Sequence, residues 1–187
     1  MQHLTDEELA AKVQTGDIAA FEKIVEKYEK PLLSYARYLS GNRECAEDAV
    51  QEAFLNAFRN IQSFDTGKKF SSWIYRIVHN EAISLIRKRK KTVTMDEIPE
   101  VADDTNIAHI IQKKIDTPQN AKIINDAYSK LPLKYKDVVY LRFYSEKSYD
   151  EIAEILHLPA STVGTYLLRA KNQLKDKLKN INIEELL

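Results

Sequence analysis

Three stretches of the chain carry polar and charged side chains at spacings suited to binding. In and just after "LHLPASTVGTYLLRA", residues 156–170, the side chains of Ser161, Thr165, Arg169 and Asn172 recur at steps of three and four. That puts them on one helical face, with Thr162 and Tyr166 on its flank. Small polar groups of this kind hydrogen-bond base edges, while cations beside them hold phosphate. In "FSSWIYRIVHNEAISLIRKRKK", residues 70–91, the helical spacing lines up Ser72, Arg76, Asn80 and Arg87 on one side. Lys68 and Lys69 precede this track, a basic run from Arg87 to Lys91 closes it, and Trp73 and Tyr75 are interleaved. Aromatic rings among cations stack on unpaired bases while Lys and Arg grip the backbone. The third stretch holds Asp48, Gln51, Glu52 and Leu55 in an outward row, an apolar residue set among acidic ones. Such a row suits a protein-binding surface.

Each stretch also has a plainer reading. The first fits any helical hairpin, the second a solvated helix end whose cations favour the C-terminal dipole, and the third a single exposed leucine. None suggests covalent chemistry. The sequence contains no phosphate-cradling glycine loop and no nucleophile elbow, and His3, His79, His109, His157 and Cys45 lack metal-ligand spacing. A non-enzyme without cofactor, metal or small-molecule substrate is expected.

The elements that must position these residues read as helices throughout. Thr5 and Glu8 form a capping box at the first, and "TGD" at residues 15–17 ends it and caps the next, where Phe21, Ile24, Val25 and Tyr28 share a face. Pro31 is expected to interrupt or restart that helix. "GN" at residues 41 and 42 opens a third, with Ala46, Val50, Ala53, Phe54, Ala57, Phe58 and Ile61 as its buried stripe. A loop, "SFDTGKKF", leads into the helix of the basic track. Between residues 92 and 117 six acidic side chains stand against two lysines, and periodicity fades, as in an acidic linker. Beyond it Thr117–Pro118 signals a helix start and "LP" at residues 131 and 132 a break. Ser148 and Glu151 form a second capping box, Ile152, Ile155 and Leu156 point inward, and "HLP" turns the chain into a helix with Val163, Leu167, Ala170, Leu174 and Leu178 as its inner stripe. Two short helices joined by a tight turn match helix-turn-helix geometry.

Composition agrees with an all-α fold of two small helical domains, residues 1–91 and 118–187, joined by the acidic linker 92–117. Four glycines and five prolines are too few for a turn-rich strand protein, and 44% hydrophobic residues suffice for real cores. Lys and Arg total 28 and so do Asp and Glu, so any nucleic-acid affinity must rest on local patches or on a partner. One cysteine excludes an intrachain disulfide, and no stretch approaches the length of a membrane span, which points to a soluble protein of a reduced cytoplasm.

Taken in order, "AEDAVQEAFLNAFRNIQSF", "FSSWIYRIVHNEAISLIRKRKK" and "LPLKYKDVVYLRFYSEKSYDEIAEILHLPASTVGTYLLRAKNQL" resemble regions 2.1 to 2.2, 2.3 to 2.4 and 4 of the extracytoplasmic-function group of sigma-70 factors. The resemblance covers nearly the whole chain. It implies a transcription initiation factor that binds core RNA polymerase, directs it to promoters and assists melting; the competing reading is a stand-alone helix-turn-helix regulator. It further implies that Asp48, Gln51, Glu52 and Leu55 meet the clamp of the largest polymerase subunit, with the flap region as a second contact. Lys68, Lys69, Ser72, Trp73, Arg76, Asn80 and Arg87 would engage the minus-ten element, one flipped base being captured by the loop Phe64 to Phe70. Ser161, Thr162, Thr165, Tyr166 and Arg169 would approach the minus-thirty-five bases, with Lys134, Lys136, Arg142 and Lys171 nearer phosphates. An anti-sigma protein, sometimes membrane-anchored, is an implied regulator. The chain departs from the family at Gly164, Tyr166 and Leu168, where Lys, Arg and His are common, at Ser84 in place of Asp, and at His157 in place of a turn glycine that favours a left-handed backbone.

Overall fold

The computed structural model describes residues 4–92 and 126–177 of the chain. The chain divides into two compact units, Met1–Thr105 and Asn106–Leu187, a division that falls inside the segment expected to be a linker. Residues 93–117 of that expected linker, and Leu178 of the expected inner stripe, lie outside the described residues. Every described regular element is helical.

In the first unit, α1 (Asp6–Gln14) opens with the expected capping box, Thr5 accepting from the Glu8 backbone and Glu8 from that of Thr5. Helix α2 (Ile18–Ser40) starts at Asp17, whose carboxylate accepts from the Ala20 N–H, and ends at Gly41 in the left-handed conformation. It runs unbroken through Pro31, contrary to the expected interruption. Proline has no N–H to offer the carbonyl four residues back, but Ile24 and Tyr28 before it and Leu32, Tyr35 and Ala36 after it are all buried, so continuing the helix gains more than that one bond. Helix α3 (Arg43–Arg59), capped by Asn42, lays Ala46, Ala49, Ala53 and Ala57 against α2 and α4 (Phe70–Thr92). Small side chains along this seam let the helices approach closely. Phe58 does not join the expected buried stripe. It is 41% exposed, because Ala57 and Ala53 already occupy the inward positions and the Phe58 ring instead leans on Phe21 at 5.0 Å.

In the second unit the described residues include a helical stretch at 126–129 followed by α5 (Leu133–Val139), α6 (Tyr149–Leu156) and α7 (Ala160–Lys177). A π-helical turn, Tyr140–Tyr144, widens the end of α5 and leads the chain into α6. Ser148 and Glu151 make the second capping box. Val163, Leu167, Ala170 and Leu174 of α7 are buried with Ile152, Ile155, Val138 and Leu141, so the inner stripe read from the sequence is the core of this unit.

Candidate functional site

On α3 the row Asp48, Gln51, Glu52 and Leu55 is exposed, as its spacing predicts. All four line one cleft of about 470 Å³ together with Glu81, Leu85 and Lys88 of α4. Gln51 and Leu55 also border a larger apolar groove of about 790 Å³ between α2 and α3, walled by Ile18, Phe21, Phe54 and Phe58. Sequence reasoning missed this groove, because Phe58 fits a buried stripe and Ile18 looks like a helix start. Ile18 is 63% exposed and Leu55 43%, which leaves an apolar strip bordered by Glu29 and by the ion pair of Arg43 and Glu47.

The polar track of α4 divides. Asn80 and Arg87 are exposed and share a cleft with His79, Ile83, Ser84 and Lys88, and Arg76 is half-buried beside them in sequence. Ser72 and Trp73 do not belong to that outward side. Ser72 is fully buried, and its hydroxyl has no hydrogen-bond partner among the described residues. Trp73 packs its ring 5.1 Å from Phe64 and 5.6 Å from Phe70. The first turn of α4 lies under the preceding loop, so burial there surrounds the helix instead of favouring one face. Neither side chain offers a free stacking surface. Within the loop, Asp65 accepts from the Gly67 N–H and its carbonyl from that of Lys68, a tight turn that leaves Lys68 and Lys69 exposed at the tip.

In the second unit, Ser161, Thr165, Arg169 and Asn172 are exposed along α7, opposite its buried stripe. Thr165 donates its hydroxyl to the Ser161 carbonyl at 2.9 Å, which fixes its rotamer and leaves oxygen lone pairs outward. Thr162, Tyr166 and Lys171 are partly buried. The Lys134 ammonium sits over the rings of both Tyr135 and Tyr166, and the Arg142 guanidinium over Tyr149 while donating to the Lys147 carbonyl. These cations are thus held on aromatic faces instead of standing free. His157 takes the left-handed conformation its replaced glycine suggests, with φ 52° and ψ 47° at the end of α6.

Among the described residues no cluster of His, Cys, Asp and Glu is arranged to hold a metal, and no helix is long and apolar enough to cross a membrane. The geometry is that of three exposed polar surfaces, two on the first unit and one on the second.

Comparison with known proteins gives these surfaces a lineage. Sigma-70 region 2 matches residues 24–92, and Sigma-70, region 4 matches residues 121–174. The ECF RNA polymerase sigma factor SigW of Bacillus subtilis is 37% identical, with 91% of this chain aligned to 95% of that one. The ECF RNA polymerase sigma-E factor of Haemophilus influenzae is 32% identical over 95% of this chain and 97% of its own. Among solved structures, CnrH in complex with the cytosolic domain of CnrY shares the fold at a TM-score of 0.68, with 22% identity over 95% of this chain and 99% of that one. Matched region by region and nearly end to end, the chain belongs to the extracytoplasmic-function group of the sigma-70 family, the RNA polymerase sigma factors that direct the enzyme to its promoters.

Proposed function

We propose that the three surfaces divide the work of promoter recognition. The α3 row of Asp48, Gln51, Glu52 and Leu55 binds the clamp of the largest polymerase subunit, with the apolar strip of Ile18, Phe21 and Phe58 extending the contact. The loop tip at Lys68 and Lys69 and the outward side of α4 at Arg76, Asn80 and Arg87 take the melted minus-ten strand and so assist opening. Ser161, Thr162, Thr165 and Arg169 face the minus-thirty-five bases, with Lys171 nearer phosphate, and the flap contacts the same unit.

The observation that carries this reading is Leu55, 43% exposed between acidic neighbours and in one cleft with the other three residues of its row. An apolar anchor inside a charged rim is how a protein partner is bound. Zero formal charge fits too, because the polymerase supplies the bulk attraction to phosphate that this chain lacks.

A second partner is an anti-sigma protein. RpoE of Bartonella quintana, whose fold this chain matches at a TM-score of 0.63, was solved in complex with the anti-sigma factor NepR. A protein of that kind would cover the same surfaces, and a membrane-anchored one would hold this chain at the membrane.

Run-off transcription with purified core polymerase tests the reading. Wild-type chain should start promoter-specific transcripts, and replacing Asp48, Glu52 and Leu55 together by Ala should abolish them by preventing association with core. Association unchanged by that triple replacement would overturn the assignment of α3.

A further inference from the structure

The loop between α3 and α4 is tied at both ends to the first helix. At its start, Gln14, the last residue of α1, donates from Nε2 to the carbonyls of Ile61 and Phe64, each at 2.8 Å. Gln62 answers by donating from its own Nε2 to the Gln14 carbonyl at 2.7 Å. At its end, Oε1 of Glu7 accepts from the backbone N–H of Phe70 at 3.0 Å. Phe70 is the first residue of α4, where N–H groups have no partner within the helix, so a carboxylate from elsewhere caps that end and suits its dipole. Helix α1 is itself anchored, since Asp6 accepts from Lys27 at 2.6 Å and from the Tyr28 hydroxyl at 2.7 Å. The Tyr28 ring in turn lies 5.8 Å from that of Phe70.

Three of these bonds end on backbone atoms of the loop and its boundary, so they fix its path independently of the side chains it displays. Between the ties at Phe64 and Phe70, residues 65–69 are exposed. The match to region 2 begins at residue 24, beyond α1, so nothing in that match accounts for the arrangement.

We infer that α1 is a brace that holds this loop ready to receive an unstacked base, with Gln14 and Glu7 as positioning residues. The inference rests on the loop being the minus-ten strand site proposed above. An unbraced loop must surrender its conformational freedom when the base arrives, which weakens capture, whereas a braced loop has surrendered it on folding. Base capture and strand opening are coupled in this way, so the brace favours promoter melting without touching DNA.

The test uses holoenzyme reconstituted with the full chain and two fluorescent single-stranded minus-ten oligonucleotides from a promoter it transcribes, one intact and one abasic at the captured position. Gln14→Met keeps the side-chain volume and removes the donor; Glu7→Ala removes the acceptor; Glu7→Gln keeps a carbonyl acceptor. Gln14→Met and Glu7→Ala should each weaken binding of the intact oligonucleotide by on the order of tenfold. They should leave the abasic one and core association unchanged, and Glu7→Gln should bind like wild type. Equal weakening toward both oligonucleotides, in step with a lowered unfolding temperature, would show a purely structural role and overturn the brace. So would variants that discriminate as well as wild type. If wild type itself binds both oligonucleotides alike, the reading of the loop as the capture site falls first, and the brace with it.

Discussion

The ring of Tyr166 on α7 meets that of Tyr135 on α5 edge to face, with centroids 5.5 Å apart and planes at 73°. Lys134 lies 5.1 Å from the centre of the Tyr135 ring and 5.5 Å from that of Tyr166. The place of Tyr166 in this cluster makes it a strut for α7. Such a ring pair contributes about 1 kcal/mol beyond its buried area. Tyr166→Ala should therefore lower the stability of the second unit by about 2 kcal/mol, a partial version of a core truncation, measured by urea unfolding. Tyr166→Phe should be neutral for both stability and minus-thirty-five affinity. A Phe variant that folds normally but binds promoter less well would show the hydroxyl reaching DNA.

Gly164 stands one turn inside α7, where glycine costs about 1 kcal/mol relative to Ala. A Cβ there would meet Cε2 of Tyr149 at 3.6 Å, an ordinary contact. Gly164→Ala should thus raise stability by about 1 kcal/mol, seen as a higher unfolding temperature, while larger residues must push the Tyr149 ring aside. Promoter affinity of the holoenzyme carrying Gly164→Ala separates two reasons for the glycine. Unchanged affinity means that it only makes room for Tyr149, and a loss means that the α7 backbone approaches DNA.

What could be read from the sequence was what neighbouring residues decide among themselves. Both capping boxes, Thr5 with Glu8 and Ser148 with Glu151, involve residues three apart and are present as expected. Val163, Leu167, Ala170 and Leu174 of the expected inner stripe of α7 repeat at helical spacing and are buried. Family resemblance added the left-handed turn at His157, which the structure contains. Pro31 misled because its local penalty is outweighed by burial on both sides of it. Trp73 misled for the same kind of reason. Helical spacing assigns it a side, but the rings of Phe64 from the preceding loop and of Phe70 pack against it and leave it buried. The α1 ties were invisible because Gln14 and Phe64 lie 50 residues apart, and Glu7 and Phe70 lie 63 apart. No local pattern signals a bond of that span.

His157 ends α6 at φ 52°, a conformation that crowds a Cβ against the following carbonyl and costs a non-glycine residue about 1 kcal/mol. His157→Gly relieves that strain, although glycine also loses more backbone entropy on folding. The balance should be a gain of several tenths of a kcal/mol, roughly half the strain relieved, read from the urea midpoint. His157→Val, β-branched and poorly suited to this region, should destabilise instead. Equal stability of the Gly and Val variants would mean that the turn relaxes to another conformation.

Tyr28 joins the anchoring of α1 to the alkaline stability of the first unit. Its phenol is raised well above the ordinary value of 10.0, first by burial and then by its hydrogen bond to Asp6, whose charge opposes a second negative one. A raised folded value means that the folded chain keeps a proton that the unfolded chain has begun to release. The stabilising effect of the neutral phenol is therefore complete below pH 10.0 and is lost as pH climbs from there toward the folded value. Below that point wild type should exceed Tyr28→Phe by about 1 kcal/mol, the worth of the bond to Asp6. Above it the advantage should shrink by up to about 1.4 kcal/mol per pH unit, since phenylalanine has no proton to lose. The two stability curves should then cross within about one pH unit, measured by urea unfolding in matched buffers. Curves that stay parallel through this range would mean that Tyr28 ionises in place and that the Asp6 contact opens before the unit unfolds.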